Sequence, residues 1–519
     1  MEENINQSDR AFEKNEEGLG SKTASGAFWA GIGRVCQHAL RILSITVLAR
    51  LLTPSAYGLV GMAVVVTGFI SIFRSLGTTP AIIQRKELSA SFVASVFWAN
   101  VILGAVTTLV GMFLAPVLGW VYGEPNVTPV MFWLSLNFFF SGFGGVHEAL
   151  LVRAMDFRRL TIIEMVSGAL QLLVAVTMAV MGYGYWSLVG AQLTLSLSST
   201  VMLIAAAGTI PAFSMRWQDL KGTLSFSANL SGFTIINYFG RNADNFLIGR
   251  YLGATALGYY QFAYNLMLFP IENISQQLGR VLFPAFSRMQ DDNVRFRKAY
   301  LSACAVIASI SFPLMMGVLC VAGPFVATVL GPNWTPVTPI LTVLAPLGLI
   351  QSVVVTVGQI YVAKGRTDLL LRTAVISNAV VLPSFVIGLR WGAFGVACAY
   401  AISFGLVSYF LFWYAFRLIE LRMRDFAAAL SWCMLYSLIM TICVTAVRFA
   451  LETAGVAAPP VVLAWCVATG VAVYAGLILW RKPPILREII DNGWADKLPG
   501  VQWLRQRRVL ATATTSRQA

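Results

Sequence analysis

Residues 48–58 read LARLLTPSAYG, and residues 248–258 read IGRYLGATALG. The two segments match at an offset of 200, so that Gly58 corresponds to Gly258. Each segment joins the end of one long apolar stretch to the start of the next. Because a repeated junction marks equivalent places in two copies of one unit, the chain is predicted to contain an internal repeat.

A second pair of segments supports the repeat. Residues 155–191 (MDFRRL…GYGYWSLVGA) correspond to residues 364–399 (KGRTDL…RWGAFGVACA) at an offset of 208, which aligns Gly184 with Gly392. Six apolar stretches fall within each copy. Since six is an even number, both copies cross a membrane in the same orientation, and transporters often place the substrate site between such halves.

The composition is that of a polytopic membrane protein. Of 519 residues, 57% are hydrophobic and 12% are charged, whereas soluble domains carry about 25% charged residues. Stretches of about 20 apolar residues are long enough to cross a bilayer as helices. We predict an all-α fold of about 14 transmembrane helices, with two six-helix bundles and two C-terminal helices. The predicted spans are 27–49, 57–80, 90–115, 129–150, 161–181, 185–207, 225–248, 256–283, 299–322, 337–362, 370–389, 393–416, 426–447 and 460–480.

The distribution of basic residues predicts the orientation. With the N-terminus assigned to the cytoplasm, the connections on that side and the two tails hold 28 of the 37 Lys and Arg residues, against four on the opposite side and five within spans. Cytoplasmic loops are enriched in Lys and Arg, so a multi-pass protein of the bacterial inner membrane with both termini in the cytoplasm is expected. This bias also accounts for the net charge of +14 without a nucleic-acid partner.

The predicted organisation has five parts: a cytoplasmic tail at 1–24, an N-lobe of six spans at 25–210, a C-lobe at 211–420, two further spans at 421–480 and a basic cytoplasmic tail at 481–519. Outer connections are short, for example Gly123–Asn126, and none between spans can hold a catalytic domain. The seven cysteines lack metal-ligand spacing. We therefore expect no enzymatic activity, no cofactor and no metal site.

Three basic residues lie within the first span. Arg34, His38 and Arg41 are spaced i, i+4, i+7 and therefore share one face of a helix. At the 200-residue offset, Arg241 repeats the position of Arg41. A charge at bilayer depth costs roughly 2.5–3.5 kcal/mol, so these side chains require a wet cavity, a carboxylate partner or an anionic ligand. Guanidinium groups bind phosphate oxygens bidentately, which favours an anionic substrate over the alternatives of snorkelling or ion pairing.

Four further residues are candidates. Arg74 and Arg280 lie toward the cytoplasmic ends of their spans and are predicted to bind substrate or to snorkel. Asp244 is one turn from Arg241 and would either neutralise it or compete with phosphate for it. Glu272 follows Pro270, which bends or breaks a helix. It is predicted to pair with an arginine of a span or, together with the opened carbonyls beside it, to form an H⁺ or Na⁺ site. Tyr259, Tyr260 and Tyr264 are predicted to form an interfacial belt, with stacking on sugar rings as the alternative.

The motif [AG]R-x-L-x-x-x-A-x-G at the end of spans one and seven, together with the two six-span bundles, resembles the multidrug/oligosaccharidyl-lipid/polysaccharide (MOP) superfamily. Within it, VLARLLTPSAYGLVGMA at 47–63 and AIIQRKELS at 81–89 are similar to the polysaccharide-transporter branch, the Wzx-type flippases, and more narrowly to colanic-acid exporters. The resemblance covers residues from about 20 to 480. It implies transport of a polyprenyl-pyrophosphate-linked oligosaccharide for exopolysaccharide or lipopolysaccharide synthesis, through a cationic central cavity and by alternating access.

The resemblance also implies partners: membrane lipid, a coupling H⁺ or Na⁺, and a polysaccharide polymerase with its export machinery. By position, the candidates for the cationic cavity are Arg34, Arg41, Arg74, Arg241 and Arg280. Two alternatives of the same fold stay open, namely a multidrug cation antiporter and a flippase for the peptidoglycan lipid precursor. Multidrug relatives tend toward an acidic cavity, whereas arginines within the spans of this chain outnumber deep carboxylates.

Overall fold

In a computed structural model, the described residues are 26, 28–29, 31–74, 82–83, 85, 88–208, 210–455 and 458–481. Side chains are not described at 74, 217–234, 280–281 and 481. Both predicted tails therefore lie outside the described residues, apart from the first residue of the C-terminal tail, position 481.

The described residues form helices joined by short turns, without a strand, which confirms the all-α class. Eleven helices in this part of the chain are long and apolar enough to span a membrane, and each of the 14 predicted spans overlaps a helix. The exact count of 14 stays a prediction. The helices are α1 (Gly31–Leu51), α2 (Pro54–Arg74), α3 (Ala90–Tyr122), α4 (Val127–Arg153), α5 (Phe157–Val180), α6 (Trp186–Ala207), α7 (Trp217–Pro270), α8 (Gln276–Arg288), α9 (Asn293–Phe325), α10 (Val337–Val354), α11 (Val357–Ala363), α12 (Thr367–Gly388), α13 (Gly392–Leu418), α14 (Met423–Thr453) and α15 (Pro459–Arg481).

The chain forms two compact units, and several helices pass from one to the other. The first unit comprises residues 1–262, 329–340 and 374–400, and the second comprises 263–328, 341–373 and 401–519. The predicted lobe boundaries at 25–210 and 211–420 stay a prediction.

Small residues let the helices of the first unit approach closely. α3 packs along α4, and a Cβ added at Gly104 would lie 2.7 Å from the Phe138 carbonyl oxygen. Thr108 on α3 donates a hydrogen bond of 3.0 Å to the carbonyl of Ser135 on α4. Lipid tails are as apolar as the helices, so close van der Waals contact and interhelical hydrogen bonds hold such pairs together.

The two copies of the repeated motif meet in the first unit. A Cβ added at Gly58 would lie 1.7 Å from the Ala254 carbonyl oxygen, and one added at Gly258 would lie 2.1 Å from the Pro54 carbonyl oxygen. The contact is reciprocal, because each glycine faces the backbone four residues before the other glycine. Only residues without a side chain permit this approach. We call the contact the Gly58–Gly258 crossing.

Gly253 separates the two arms of α7. Its backbone is non-helical, with φ 83° and ψ 177°, a conformation that glycine adopts without a Cβ clash. The arm before Gly253 carries the predicted seventh span and the arm after it begins the eighth. The second pair of repeated segments also has matching turns, since Gly184 and Gly392 both have positive φ, 55° and 71°.

Trp334 joins three segments of the first unit. Its side chain is fully buried, and its indole N–H donates a 2.8 Å hydrogen bond to the carbonyl of Ala49 at the end of α1. The ring packs edge-on against Tyr57 of α2 and lies 5.4 Å from the Phe262 ring of α7. The sequence alone did not indicate this residue.

Removing the Trp334 side chain is expected to destabilise the protein. Truncation of a buried Trp to Ala costs about 3–5 kcal/mol, because it leaves a cavity, and here the Ala49 carbonyl also loses its donor. Trp334→Phe keeps most ring contacts and removes the hydrogen bond, so its cost should approach about 1 kcal/mol. Thermal unfolding of both purified variants measures the difference. Equal midpoints for Trp334→Ala and the unmodified protein would contradict the prediction.

The second unit is built around α9, which packs against both α14 and α15. Tyr474 of α15 donates a 2.7 Å hydrogen bond to the Ser309 carbonyl of α9, and Arg448 of α14 donates one of 3.0 Å to the Cys320 carbonyl. These hydrogen bonds satisfy polar groups that lipid would leave without partners. The last two spans are thus integral to this unit.

Candidate functional site

The predicted cationic residues of the first span lie on one continuous helix. α1 is helical from Gly31 to Leu51, so Arg34, His38 and Arg41 share one face, as expected. Arg34 and Arg41 are exposed, and His38 is half-buried. We call these three residues the α1 cationic face.

The side of α1 that carries Arg41 is buried two turns further on. Leu48, at i+7 from Arg41, is 4% exposed and clusters with alanines of α5 and α6. Nearer the start of α1 the contacts with α5 come from Gly33, against Thr161, and from Gln37, which bonds to Glu164. Arg34 and Arg41 thus lie at the edge of the side that faces α5, and both are exposed.

The arginines of α1 are not engaged by carboxylates of the described residues. Glu164 of α5 lies against α1, but it accepts a 2.7 Å hydrogen bond from the amide of Gln37. Arg34 and Arg41 form no hydrogen bond or ion pair with any residue that the structure describes. The alternative in which neighbouring carboxylates neutralise these two cations finds no support within that part of the chain.

Arg241 repeats the arrangement of Arg41 on α7. At i+4 and i+7 from Arg241 lie Asn245 and Ile248, which are 5% and 0% exposed, whereas Arg241 itself is exposed. Each arginine therefore extends from a face that becomes buried one to two turns further on. Both residues belong to the first unit, and their equivalence as substrate-binding residues stays a prediction.

Asp244 is held by groups other than Arg241. It is 1% exposed, accepts a 2.8 Å hydrogen bond from the Tyr260 hydroxyl and accepts another of 2.7 Å from the backbone N–H of Asn245. Among the described residues Arg241 makes no ion pair, although it is near enough to attract Asp244 electrostatically. The guanidinium thus keeps its hydrogen-bond donors available for an anion.

The predicted tyrosine belt is wrong for two of its three members. Tyr260 is fully buried and bonded to Asp244, and Tyr264 is 5% exposed. Tyr259 is half-buried and donates to the Asn333 carbonyl at 3.2 Å. The polar group of Tyr260 satisfies a buried carboxylate and does not reach an interface, which a sequence separation of 16 residues could not show.

Pro270 interrupts the helix as expected. A π-helical turn, Ile271–Ser275, follows it directly and contains Glu272, which is half-buried. The side-chain amide of Asn273 donates a 2.8 Å hydrogen bond to the Phe269 carbonyl. Glu272 has no hydrogen bond or ion pair among the described residues, and its role as an ion site stays a prediction.

Two predicted cations lie where side chains are not described. Arg74 is the last residue of α2, and Arg280 lies in the first half of α8. Their backbones are helical, but the positions of their guanidinium groups fall outside the described side chains. Their predicted roles are unchanged.

Comparisons with known proteins agree with this architecture. The solved structure of the lipid II flippase MurJ in an inward closed conformation superposes with a TM-score of 0.66, covering 88% of this chain and 99% of that chain at 14% identity. This likeness shows the fold.

Two curated relatives extend the comparison. The lipopolysaccharide biosynthesis protein WzxC of Escherichia coli (strain K12) is 30% identical over 74% of this chain and 79% of its own length. The succinoglycan biosynthesis transport protein ExoT of Rhizobium meliloti (strain 1021) is 27% identical over 90% of this chain and 95% of its own length. The family described as polysaccharide biosynthesis protein matches residues 47–339, more than half of the sequence. The chain belongs to this polysaccharide biosynthesis protein family and is a multi-pass membrane protein.

Proposed function

We propose that this protein is a flippase for a polyprenyl-pyrophosphate-linked oligosaccharide, which it moves from the cytoplasmic to the periplasmic leaflet of the inner membrane. The observation that carries the proposal is the equivalence of Arg41 and Arg241, two exposed cations on helix faces that are buried one or two turns away. A pyrophosphate offers the negative charge and the oxygen geometry that guanidinium groups bind bidentately. The names of WzxC and ExoT associate relatives with polysaccharide synthesis and transport.

The proposed mechanism is alternating access. In the inward-open state, Arg34, Arg41 and Arg241 bind the pyrophosphate while the polyprenyl chain stays in the lipid. Arg74 and Arg280 assist near the cytoplasmic side, and His38 forms a hydrogen-bonded wall between two cations. Rocking of the two repeats then opens the substrate to the periplasm, where a polymerase and export machinery take up the oligosaccharide.

We further propose that an ion drives the return of the empty carrier. Asp244 is the stronger candidate, because it is buried one turn from Arg241 and bonded to Tyr260. Glu272 in the π-helical turn is the second. Protonation of either carboxylate would remove a negative charge beside a substrate-binding helix. Since that charge affects the affinity for an anionic substrate, H⁺ binding is coupled to substrate affinity.

Two other transport functions are compatible with the fold. A multidrug cation antiporter requires carboxylates in its cavity, and the exposed candidates on α1 and α7 are arginines, so this alternative is disfavoured. A peptidoglycan-precursor flippase would use the same cations. The likeness to MurJ at 14% identity shows the fold alone, so it does not select that substrate.

A deletion strain tests the proposed function directly. Loss of the protein should remove surface polysaccharide and leave lipid-linked oligosaccharide accumulating in the cytoplasmic leaflet, as measured by extraction and mass spectrometry. Purified protein reconstituted into proteoliposomes should translocate that lipid across the bilayer. Normal surface polymer in the deletion strain, with a block in cell-wall synthesis, would indicate the peptidoglycan precursor instead.

Asp244→Asn is expected to separate ion coupling from folding. The two hydrogen bonds end on different oxygens of Asp244. The Asn amide keeps one oxygen, which can accept the Asn245 N–H, while its NH2 group can donate to the Tyr260 hydroxyl oxygen and so reverse that hydrogen bond. Thermal stability should therefore change by about 1 kcal/mol. Transport should lose most of its dependence on the proton gradient, since the carboxylate can no longer bind or release H⁺. Tyr260→Phe is the matched control that removes the hydrogen bond but leaves the carboxylate. Unaltered gradient dependence in Asp244→Asn would exclude Asp244 as the coupling residue.

A further inference from the structure

A cavity of ≈ 490 Å³ lies within the second unit, whereas Arg34, Arg41 and Arg241 belong to the first unit. It is bounded by the π-helical turn, by helices α8, α9 and α11, and by the turn between α10 and α11. The size falls in the range of roughly 300–1,000 Å³ that small-molecule sites occupy. Its lining residues are Ser275, Gln276, Gly279, Leu282, Phe283, Phe286, Tyr300, Ala303, Val355, Thr356, Gln359 and Val362.

Two glutamine side chains face this cavity from different helices. Gln276 begins α8 and is exposed, and Gln359 lies on α11 and is half-buried. Neither amide group has a hydrogen-bond partner among the described residues. A Cβ added at Gly279 would lie 3.3 Å from Nε2 of Gln359, so the glycine leaves room for that amide at the cavity wall.

The remaining polar groups of the lining are already satisfied. Ser275 donates a 2.7 Å hydrogen bond to the Ser352 carbonyl. The hydroxyls of Tyr300 and Thr356 are 2.9 Å apart and share a hydrogen bond. Because these groups are already hydrogen-bonded within the protein, the two glutamine amides supply the donors and acceptors that remain for a ligand.

The lining is aromatic and carries no formal charge among its described residues. Phe283 is 38% exposed and lies on the same face of α8 as the buried Phe286. Arg280, whose side chain is not described, is about one turn from both Gln276 and Phe283 on α8. A ligand with several hydroxyl groups and an apolar face matches the two amides and the aromatic wall, because each amide offers both a donor and an acceptor.

We propose that this cavity binds a sugar ring. Gln276 and Gln359 hydrogen-bond to ring hydroxyls, and Phe283 covers the C–H face of the sugar. The proposal rests on the proposed function, since the saccharide would be part of the transported oligosaccharide, and it assigns to the cavity a role in glycan selectivity. The alternative occupant is a lipid chain, which would contact the apolar wall without using the amides.

The test uses the full chain extracted into polymer-bounded lipid particles, which avoids sugar-based detergents. Saturation-transfer difference NMR with free glucose, galactose and N-acetylglucosamine as probes measures binding. At least one sugar should bind, and Gln276→Ala/Gln359→Ala should weaken it about tenfold, as expected for the loss of about two hydrogen bonds. Gln290→Ala, at an exposed glutamine outside the cavity, is the matched control and should bind normally.

A second variant keeps the test decisive if the double variant misfolds. Gly279→Leu fills the cavity from α8 while improving helix propensity, and it should abolish the sugar signal. The proposal would be overturned if none of the three sugars binds, or if binding is undiminished in both variants. It would also be overturned if added phospholipid displaces the sugar signal equally in every variant. Binding of undecaprenyl pyrophosphate to the same samples tests the proposed function separately, because that ligand has no sugar.

Discussion

Alanine at Arg41 or Arg241 is expected to abolish polysaccharide export while the protein still inserts and folds. Both guanidinium groups are exposed and have no ion partner among the described residues, so their removal breaks no structural contact that the structure describes. A hydrogen bond to a charged group contributes about 1.5–3 kcal/mol, which corresponds to roughly a 10- to 150-fold loss of pyrophosphate affinity for each arginine.

Two measurements together test this expectation. Surface polymer is quantified in a deletion strain that expresses each variant, and binding of undecaprenyl pyrophosphate is measured with purified protein. Arg41→Lys should recover part of the affinity, because it restores the charge without the bidentate geometry. Arg41→Ala/Arg241→Ala should lose more affinity than either single variant, if both cations act on one ligand.

Arg424→Ala is the matched control, since Arg424 is exposed near the start of α14 and lies outside the proposed site. Membrane levels and thermal midpoints of all variants should equal those of the unmodified protein. Normal export in both single variants would remove the proposed anion site. Loss of export together with loss of the folded protein would assign the arginines a structural role.

The elements that follow from local pattern could be predicted from the sequence. Apolar length predicted helices, and each predicted span overlaps one. The i, i+4, i+7 spacing placed Arg34, His38 and Arg41 on one face of α1. Pro270 indicated a break, and a π-helical turn lies directly after it. In each case the physical cause acts within one or two helical turns, so a short window of sequence contains it.

Contacts between distant residues could not be predicted in the same way. Tyr260 was placed in an interfacial belt because its neighbours are tyrosines, but its hydroxyl binds the buried Asp244 on the other arm of α7. Trp334 lies in a short connection and shows no periodicity that would mark it as buried. Both positions depend on contacts that only the fold creates. The one sequence feature that pointed to such a contact is Asp244, because a carboxylate without a partner in an apolar span is costly.

The repeated motif itself illustrates this limit. The match of Gly58 with Gly258 established the repeat, yet the sequence assigned neither glycine a partner. In the structure each lies against the backbone four residues before the other glycine. Two equivalent segments related by pseudo-symmetry can meet at their axis, and glycine is the residue that lets two helix backbones approach there. The motif therefore has a packing role at this position.

Leucine at Gly58 or Gly258 is expected to destabilise the protein strongly and to stop transport. The added Cβ alone would lie 1.7 or 2.1 Å from a backbone carbonyl oxygen, and no side-chain rotation can relieve a clash with backbone. Overpacking a close contact costs about 1–3 kcal/mol and occasionally more, and a clash with rigid backbone belongs to the upper end. The helices must separate, which exposes their polar backbone contact.

Thermal unfolding and transport in proteoliposomes measure this effect, with Gly145→Leu as the matched control. Gly145 lies on α4 in the same unit, and a Cβ added there has no neighbour within 4 Å. Alanine should already be harmful at Gly58, because the clash begins at Cβ, whereas alanine at Gly145 should be neutral or stabilising. If Gly58→Ala and Gly258→Ala keep the normal midpoint and transport rate, the close approach at the Gly58–Gly258 crossing is not required. A normal midpoint combined with lost transport would instead show that the crossing must form and open during each cycle, as alternating access demands of a contact between two repeats.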